Sequence, residues 1–374
     1  MPIISLIFLI PAIYVACRTF WPLSLPLWSR VLVALLLLAA SQYHLWSRLS
    51  SGSVFAPEFP RAAVVLFNWA LGALLLLWFV QIVLDLGLVT AAVVQWRRVG
   101  LPDTARYGAI ALALLVSALA VAQAIRVPPI KDVEVEIAGL APPFEGYRIL
   151  QLTDLHVSRL FPDRWARAVV TRANAAGADT IVVTGDVIDG SVDMRRDDVA
   201  PLRALRAADG VWAIPGNHEY FFDYGAWMRH LTALGFRMLP NAHIVIRRDG
   251  AALVVAGVTD LSAPSVGEAP PDLGVALRGA PAGVPIILLD HQPRQARHAA
   301  ARGVALQLSG HTHGGMVIGL DRLVARANAG FVAGRYAVGG MTLYVSNGTG
   351  LWPGFALRLG VPSEMTRFTL RAKP

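Results

Sequence analysis

From Ala62 to Val94 the chain runs 33 residues with a single charged side chain, Asp85. A helix of that length extends roughly 50 Å at about 1.5 Å per residue, whereas the hydrocarbon core of a bilayer is about 30 Å thick. The run therefore predicts one tilted membrane-spanning helix, or a span with an extension. Residues 107–125 form a second run that is long enough to cross. Two shorter apolar runs precede them, residues 2–17, interrupted by Pro11, and residues 31–46. Together they predict an all-α transmembrane unit of about four helices over residues 1–126. The charge distribution agrees: residues 1–125 hold ten charged side chains and the remaining 249 residues hold 48. The overall values of 55% hydrophobic and 16% charged thus average a membrane part with a soluble part.

The first run lacks a positive residue ahead of it and a small-x-small cleavage site, so it reads as an uncleaved helix rather than a signal peptide. Tyr14-Val-Ala-Cys17 resembles a lipoprotein processing site only faintly. With four spans, Arg18, Arg30, Arg97, Arg98 and Arg106 fall on one side, and Arg48, Arg61, Arg126 and Lys131 on the other. The spans predict a multi-pass inner-membrane protein, and this five-to-four margin predicts that its soluble domain lies outside the cytoplasm. The net charge of +8 divides evenly, and Lys131 and Lys373 are the only lysines. No clustered basic stripe marks a nucleic-acid surface; the balance fits contact with anionic lipid or phosphate better. A lone Cys17 excludes an intrachain disulfide. The Arg- and Ala-rich, Lys-poor usage is that of a GC-rich bacterial genome.

Val127-Pro-Pro-Ile130 reads as a linker, since Pro-Pro favours extended backbone. Residues 133–137 alternate with period two and read as a first strand, so residues 127–144 form a linker plus strand and residues 145–374 a domain. Within that domain strands are expected at 147–153, 180–184, 211–214, 244–248, 253–258, 285–289, 305–308, 342–345 and 365–370. Helices are expected at 162–176, 198–208, 224–234 and 294–301.

Five polar blocks follow these strands: Asp154-Leu-His156, Gly185-Asp186-Val-Ile-Asp189, Gly216-Asn-His-Glu219, Asp290-His-Gln-Pro293 and Gly310-His-Thr-His-Gly-Gly315. The carboxyl ends of strands are where open α/β sheets collect their ligands. Carboxylates, imidazoles and an amide oxygen suit divalent Mn, Fe or Zn, and without thiolates a structural zinc cage is not expected. Two ions about 3.5–4 Å apart can share a carboxylate and clamp a phosphoryl group. Asp186, after a strand and a glycine, is the natural bridge.

In this order the blocks resemble the calcineurin-like metallophosphoesterase superfamily, over about residues 145–371. The match is closest to its bacterial membrane-associated branch, which carries the Gly-His-Thr-His-Gly-Gly form. Ser346-Asn-Gly-Thr-Gly350, Arg358 and Pro362-Ser-Glu364 resemble that branch too, while Met316 stands where Gln is usual. The resemblance implies a four-layer αββα sandwich of two mixed sheets with helices outside. It implies one metal held by Asp154, His156, Asp186 and His313, and another by Asp186, Asn217, His291 and His311. A bridging hydroxide would attack phosphorus, His218 would protonate the leaving oxygen, and Glu219 and Asp189 would orient ligands. The implied activity is a phosphodiesterase or phosphomonoesterase acting on a phosphoester, with a lipid-linked substrate such as UDP-2,3-diacylglucosamine among the family's substrates. That substrate requires a cytoplasmic site, which the charge margin opposes.

Plainer readings stand beside these. His44, His230, His243 and His298 read as ordinary histidines, and Asp260 as a turn or ligand-supporting residue. Asp85 reads either as a functional intramembrane charge or as an interfacial residue at a span's end. The aromatics Tyr220, Phe221, Phe222, Tyr224, Trp227, Trp352, Phe355, Phe161 and Trp165 are either core or an apolar rim that meets acyl chains. Two other functions compete: an idle membrane scaffold or sensor, and a transporter regulated by its soluble domain. The first should lack ligands and the second should carry paired intramembrane charges.

Overall fold

The computed structural model describes residues 2–373, with side chains from Leu6 onward. The chain forms two compact units. The first comprises Met1–Gln123 together with Pro353–Leu357, the second Ala124–Trp352 together with Arg358–Pro374.

In the first unit every apolar run is helical. Helices cover Pro2–Val15, continued by a π-helical turn Ala16–Phe20, then Leu27–Ser41, Tyr43–Ser51, Arg61–Gln95 and Asp103–Ala124. Arg61–Gln95 and Asp103–Ala124 are each long and apolar enough to cross a membrane. Leu27–Ser41 and Tyr43–Ser51 reach that length only as a pair bent by 56°. The break falls at Ser41-Gln42, where Ser41 Oγ donates to the Leu38 carbonyl and Gln42 Nε2 donates to Ser41 Oγ, drawing polar groups away from the helical ladder. Leu6–Phe20 is apolar but shorter.

Asp85 is not alone in its helix. Its carboxylate accepts from Arg18 Nε at 3.0 Å and Arg18 Nη2 at 2.9 Å, from Tyr14 Oη at 2.6 Å and from Gln81 Nε2 at 2.9 Å. Arg106 Nη1 donates to the Arg18 carbonyl at 2.6 Å, joining the end of the first helical run to the start of Asp103–Ala124. A short return of the chain completes the unit. Tyr43 Oη and Asn68 Nδ2 donate to the Pro353 carbonyl at 2.9 and 2.8 Å, and Asn68 Oδ1 accepts the Ala356 N–H at 2.6 Å. Gly72 makes room for Leu357, whose Cδ2 would lie 2.7 Å from a Cβ placed there.

The second unit holds twelve strands: β1 (Ile130–Ile137), β2 (Arg148–Leu152), β3 (Thr180–Thr184), β4 (Val211–Ile214), β5 (Arg237–Met238), β6 (Ala242–Arg248), β7 (Ala251–Gly257), β8 (Ile286–Leu289), β9 (Leu306–Ser309), β10 (Gly334–Val338), β11 (Met341–Val345) and β12 (Met365–Ala372). They form two mixed six-stranded sheets, β1-β12-β2-β3-β4-β5 and β10-β11-β9-β8-β7-β6. Along the central strands successive side chains point to opposite faces, and both faces are buried. Ile149, Val182 and Ile214 of the first sheet share one core with Leu253, Val255, Ile287, Leu289, Leu306, Leu308 and Tyr344 of the second. Val254, Ala256, Leu288, Leu343 and Val345 point the other way, into an outer core with Leu273, Ala276, Ala296 and Ala299 of the covering helices. Helix Asp163–Asn174 buries Trp165, Ala166, Val169, Val170 and Ala173, the single stripe of an amphipathic helix. The expected αββα sandwich is thus present.

The helix expected at 198–208 lies earlier, at Val192–Val199, followed by a 3-10 turn Ala200–Ala204. Ser191 caps its start by accepting the Met194 N–H, and Pro201 ends the regular ladder. β5, β10 and helix Asp321–Ala327 were not expected, being short or carrying weak periodicity. β2, β3 and β4 run parallel, as do β8 and β9. Each sheet therefore delivers the loops after its parallel strands to one edge.

Candidate metal centre

Those loops carry all five blocks. Asp154 and His156 follow β2, Asp186 and Asp189 follow β3, Asn217, His218 and Glu219 follow β4, His291 follows β8, and His311 and His313 follow β9. The loops after β2 and β3 zip together: Asp154 N–H donates to Gly185 O, His156 N–H to Asp186 O, Val157 N–H to Val187 O and Asp189 N–H to Val157 O, all within 3.1 Å. A Cβ on Gly185 would lie 2.6 Å from the Gly216 backbone, so this glycine admits the β4 loop. Asp154, His156, Asp186, His311 and His313 all adopt positive φ, between 46° and 69°. Left-handed backbone costs a non-glycine residue about 1 kcal/mol or more. Five such residues at one edge mark a place where geometry is held against local preference.

The side chains converge. His156 Nε2 and His313 Nε2 lie 3.2 Å apart, with Asp154 Oδ1 at 3.9 and 3.6 Å from them. His291 Nε2 and His311 Nδ1 lie 3.1 and 2.8 Å from Asn217 Oδ1. Between these groups sits Asp186 Oδ2, 3.2 Å from His291 Nε2, 3.8 Å from His156 Nε2 and 3.9 Å from His218 Nε2. The other Asp186 oxygen accepts the His218 N–H at 2.8 Å, which fixes the carboxylate's direction.

The surrounding groups set which atoms are free. His291 Nδ1 donates to the Thr184 carbonyl at 2.7 Å, which turns its Nε2 toward the site. Asp189 Oδ2 lies 3.1 Å from His156 Nδ1, and Asp189 Oδ1 bonds His218 Nδ1. The Glu219 carboxylate accepts from Gly216, Asp186 and Val187 N–H at 2.7, 3.0 and 2.7 Å. Arg358, fully buried, donates to the carbonyls of His313, Asn347, Gly350 and Val361, so one guanidinium ties the His313 loop to the chain's last turn.

Burial disfavours the Asp186 carboxylate, yet His291 and His218 outweigh it and hold its pKa well below the usual range. Asp189 is likewise buried and likewise held low, by His156 and His218. His218 loses by burial but gains more from Asp186 and Asp189, and its pKa rises to about 9. Burial and the charge of His291 push His311 down to about 3, and burial with His156 pushes His313 well below its ordinary value. His311 and His313, held neutral beside the ionised Asp186, offer lone pairs to a divalent cation, while His291, raised by Asp186 against burial, gives up its proton when a cation takes its place. Asp154, His156 and His313 could hold one ion, and Asp186, His291 and His311 another; within each trio the donor atoms lie within 4.8 Å of one another.

The family model for calcineurin-like phosphoesterases matches residues 147–315, spanning all five blocks. Metallophosphoesterase YkuE of Bacillus subtilis is 31% identical over 61% of this chain and 80% of its own length. The chain belongs to the calcineurin-like phosphoesterase family. A Bos taurus transmembrane protein with metallophosphoesterase domain is 35% identical over 74% of this phosphoesterase-family chain and 66% of its own. An uncharacterized Helicobacter pylori metallophosphoesterase is 31% identical, with 66% of this chain and 65% of its own covered. The chain thus spans about two thirds of the length of these last two relatives. Vertebrate and bacterial members match alike, so the matches single out no branch. The family is metal-dependent, and the apolar helices together with the transmembrane relative make this a membrane-associated protein.

All eight residues singled out for chemistry lie at this edge. The aromatics divide. Phe161, Trp165, Tyr220 and Trp227 are buried core, and Pro353-Gly-Phe355 packs in the membrane unit; Phe221 and Phe222 stay beside His218, with ring centroids 5.2 and 6.4 Å away. Asp260 fills both of its readings. It accepts the Ser262 N–H of its own turn and, through both oxygens, Gln292 Nε2 at 3.0 Å, tying the loop after β7 to that of His291. The positioning roles of Gln292 and Arg358 escaped the sequence; its signals were the place of Gln292 beside a ligand block and that of Arg358 in the tail that resembles the family.

Proposed function

We propose that the chain hydrolyses a phosphoester with two divalent ions, one held by Asp154, His156, Asp186 and His313, the other by Asp186, Asn217, His291 and His311. The carrying observation is Asp186 Oδ2, centred among the imidazoles of both groups while its partner oxygen is fixed on the His218 N–H. When bound, the two ions supply an activated water nucleophile and offset the charge of the phosphoryl oxygens. The protein's own part is orientation and proton supply. His218 Nδ1 is tied to Asp189, so its Nε2 faces the site and can deliver a proton to the leaving oxygen. Asp189 also orients His156, so one carboxylate aligns a ligand and the acid together. Glu219 holds Asp186 and Val187 by their N–H groups and thereby sets the bridging position.

A lipid or nucleotide-linked lipid is the substrate class we favour, because the chain carries membrane helices and Phe221 and Phe222 flank His218. With all four apolar helical runs counted as spans, we place the second unit outside the cytoplasm of an inner membrane on the arginine margin, which suits a lipid phosphoester; a nucleotide-linked lipid would need the opposite face. The test is turnover of bis-(p-nitrophenyl) phosphate by the full chain in detergent, chelated and then resupplied with Mn²⁺, beside His311→Ala. Metal-dependent turnover lost in the variant supports the reading. A folded, metal-loaded chain that turns over no phosphoester returns the protein to the scaffold class.

A further inference from the structure

The loop that carries His313 runs on into a surface the hydrolytic reading does not use. Val317 bridges Leu359 and Gly360, and the Ile318 N–H donates to the Leu359 carbonyl at 3.1 Å. Gly315 lies so close to the following helix that a Cβ there would come 2.5 Å from Asp321 Cα. Helix Asp321–Ala327 is therefore fixed at the rim, eight residues beyond a ligand. Yet it buries none of its residues. Ile318 is 73% exposed, Leu320 38% and Leu323 59%. Elsewhere in the second unit exposed large apolar residues stand singly, at Met194, Phe221, Val266 and Val275. Phe221 is 45% exposed and touches His218.

The polar residues of the segment are arranged to match. Arg322 and Arg326 are exposed one turn apart. Asp321, the acid between them and the loop, turns its carboxylate back onto the Gly319 N–H at 2.7 Å. Apolar side chains interleaved with arginines are the composition of a helix that lies in a bilayer interface, where acyl chains take the apolar groups and lipid phosphates the cations. A second copy of the same segment would bring arginine to arginine.

We propose that residues 317–327 rest on an anionic lipid surface, with Ile318, Leu320 and Leu323 entering the acyl boundary and Arg322 and Arg326 meeting lipid phosphates. As a way for substrate to reach the metals this rests on the phosphoesterase reading; as a lipid contact it does not. The test uses the full chain with Cys17→Ser and a fluorophore on Leu323→Cys, or on Ile318→Cys, in proteoliposomes of phosphatidylcholine with and without phosphatidylglycerol. Nitroxide on the acyl chains should quench the label at least about twofold more strongly when phosphatidylglycerol is present, and aqueous iodide should not reach it. Adding Arg322→Glu and Arg326→Glu should reverse both results and leave soluble-diester turnover within about twofold. Equal access to iodide in both vesicles overturns the proposal. So does shielding from both quenchers, the signature of a protein partner. Lipid quenching without any phosphoester turnover would leave the contact standing and defeat the hydrolytic reading alone.

Discussion

Asp85 and Asp186 are both carboxylates removed from bulk water, and they are neutralised in opposite ways. Asp85 meets Arg18 through two hydrogen bonds, with Tyr14 and Gln81 completing its shell. Its counter-charge is permanent, since a guanidinium does not deprotonate in a protein. Asp186 is surrounded by imidazoles, and the charge that His291 and His218 hold beside it can be withdrawn. The first arrangement is closed. The second sets an ionised carboxylate beside imidazoles that can give up their protons, and cations from outside can take the place of those protons. A buried acid with an arginine holds helices together; a buried acid among imidazoles holds an exchangeable ion.

The sharpest way to break that contrast is Asp186→Asn. It keeps the shape and removes the shared charge, so turnover should fall on the order of 10³-fold or more and metal content should drop on elemental analysis. Retention of both ions at full stoichiometry would deny Asp186 the bridging place. Next in size is His218→Gln, expected to lose about 10²-fold on alkyl phosphoesters and much less on p-nitrophenyl esters, whose leaving group needs no proton. With its pKa raised to about 9, His218 keeps its proton through neutral pH and surrenders it as pH climbs past that value. Wild-type rates on alkyl esters should therefore decline on the alkaline side, earlier if bound cations draw the pKa down, and the variant should lack that limb. Equal losses on both ester types would assign His218 a structural part instead.

The sequence made the second unit far more legible than the first, for physical reasons. Metal chemistry restricts residue types so tightly that five short blocks located Asp154, His156, Asp186, Asn217, His218, His291, His311 and His313. Short, continuously apolar runs located β3 and β4 to the residue. What escaped depended on non-local packing: Arg358 reaching back to the His313 carbonyl, Gln292 clasping Asp260, and β10, whose five residues are defined by pairing with β11. In the first unit hydropathy revealed the helices but not that Asp85 has an arginine 67 residues away, nor that Pro353 returns to Tyr43 and Asn68.

Asp85→Asn tests the closed site. It leaves the half-exposed Arg18 without its ionic partner, so stability in detergent should fall by about 1–2 kcal/mol, read as a lower thermal midpoint. Arg18→Gln added to it should recover much of that loss, because the removed charge no longer needs a partner. Full turnover of a soluble diester should persist in both, since the pair lies in the membrane unit. A stable single variant would make Asp85 an interfacial residue of no structural weight.

The smallest effect sharpens the comparison from the other side, in a carboxyl with no cation to receive. Asp290 precedes a ligand yet faces Gln307 and the Asp260 carboxylate; burial first, and Asp260's charge second, push it up to about 8. Unfolded, it would ionise near pH 4. Between those values the folded chain keeps a proton that the unfolded chain has released, so stability falls as pH rises from about 4 to about 8 and is level above. Asp290→Asn imitates the protonated form at every pH. In chelated full chain its advantage over wild type should be near zero at pH 4.5 and grow to about 1–2 kcal/mol by pH 8, because Gln307 and the Gln292 N–H soften the ionised form. A constant gap across that range would mean Asp290 is already ionised in the fold. It would then be a third acid awaiting a cation, and the division between closed and open carboxylates would need redrawing around His291.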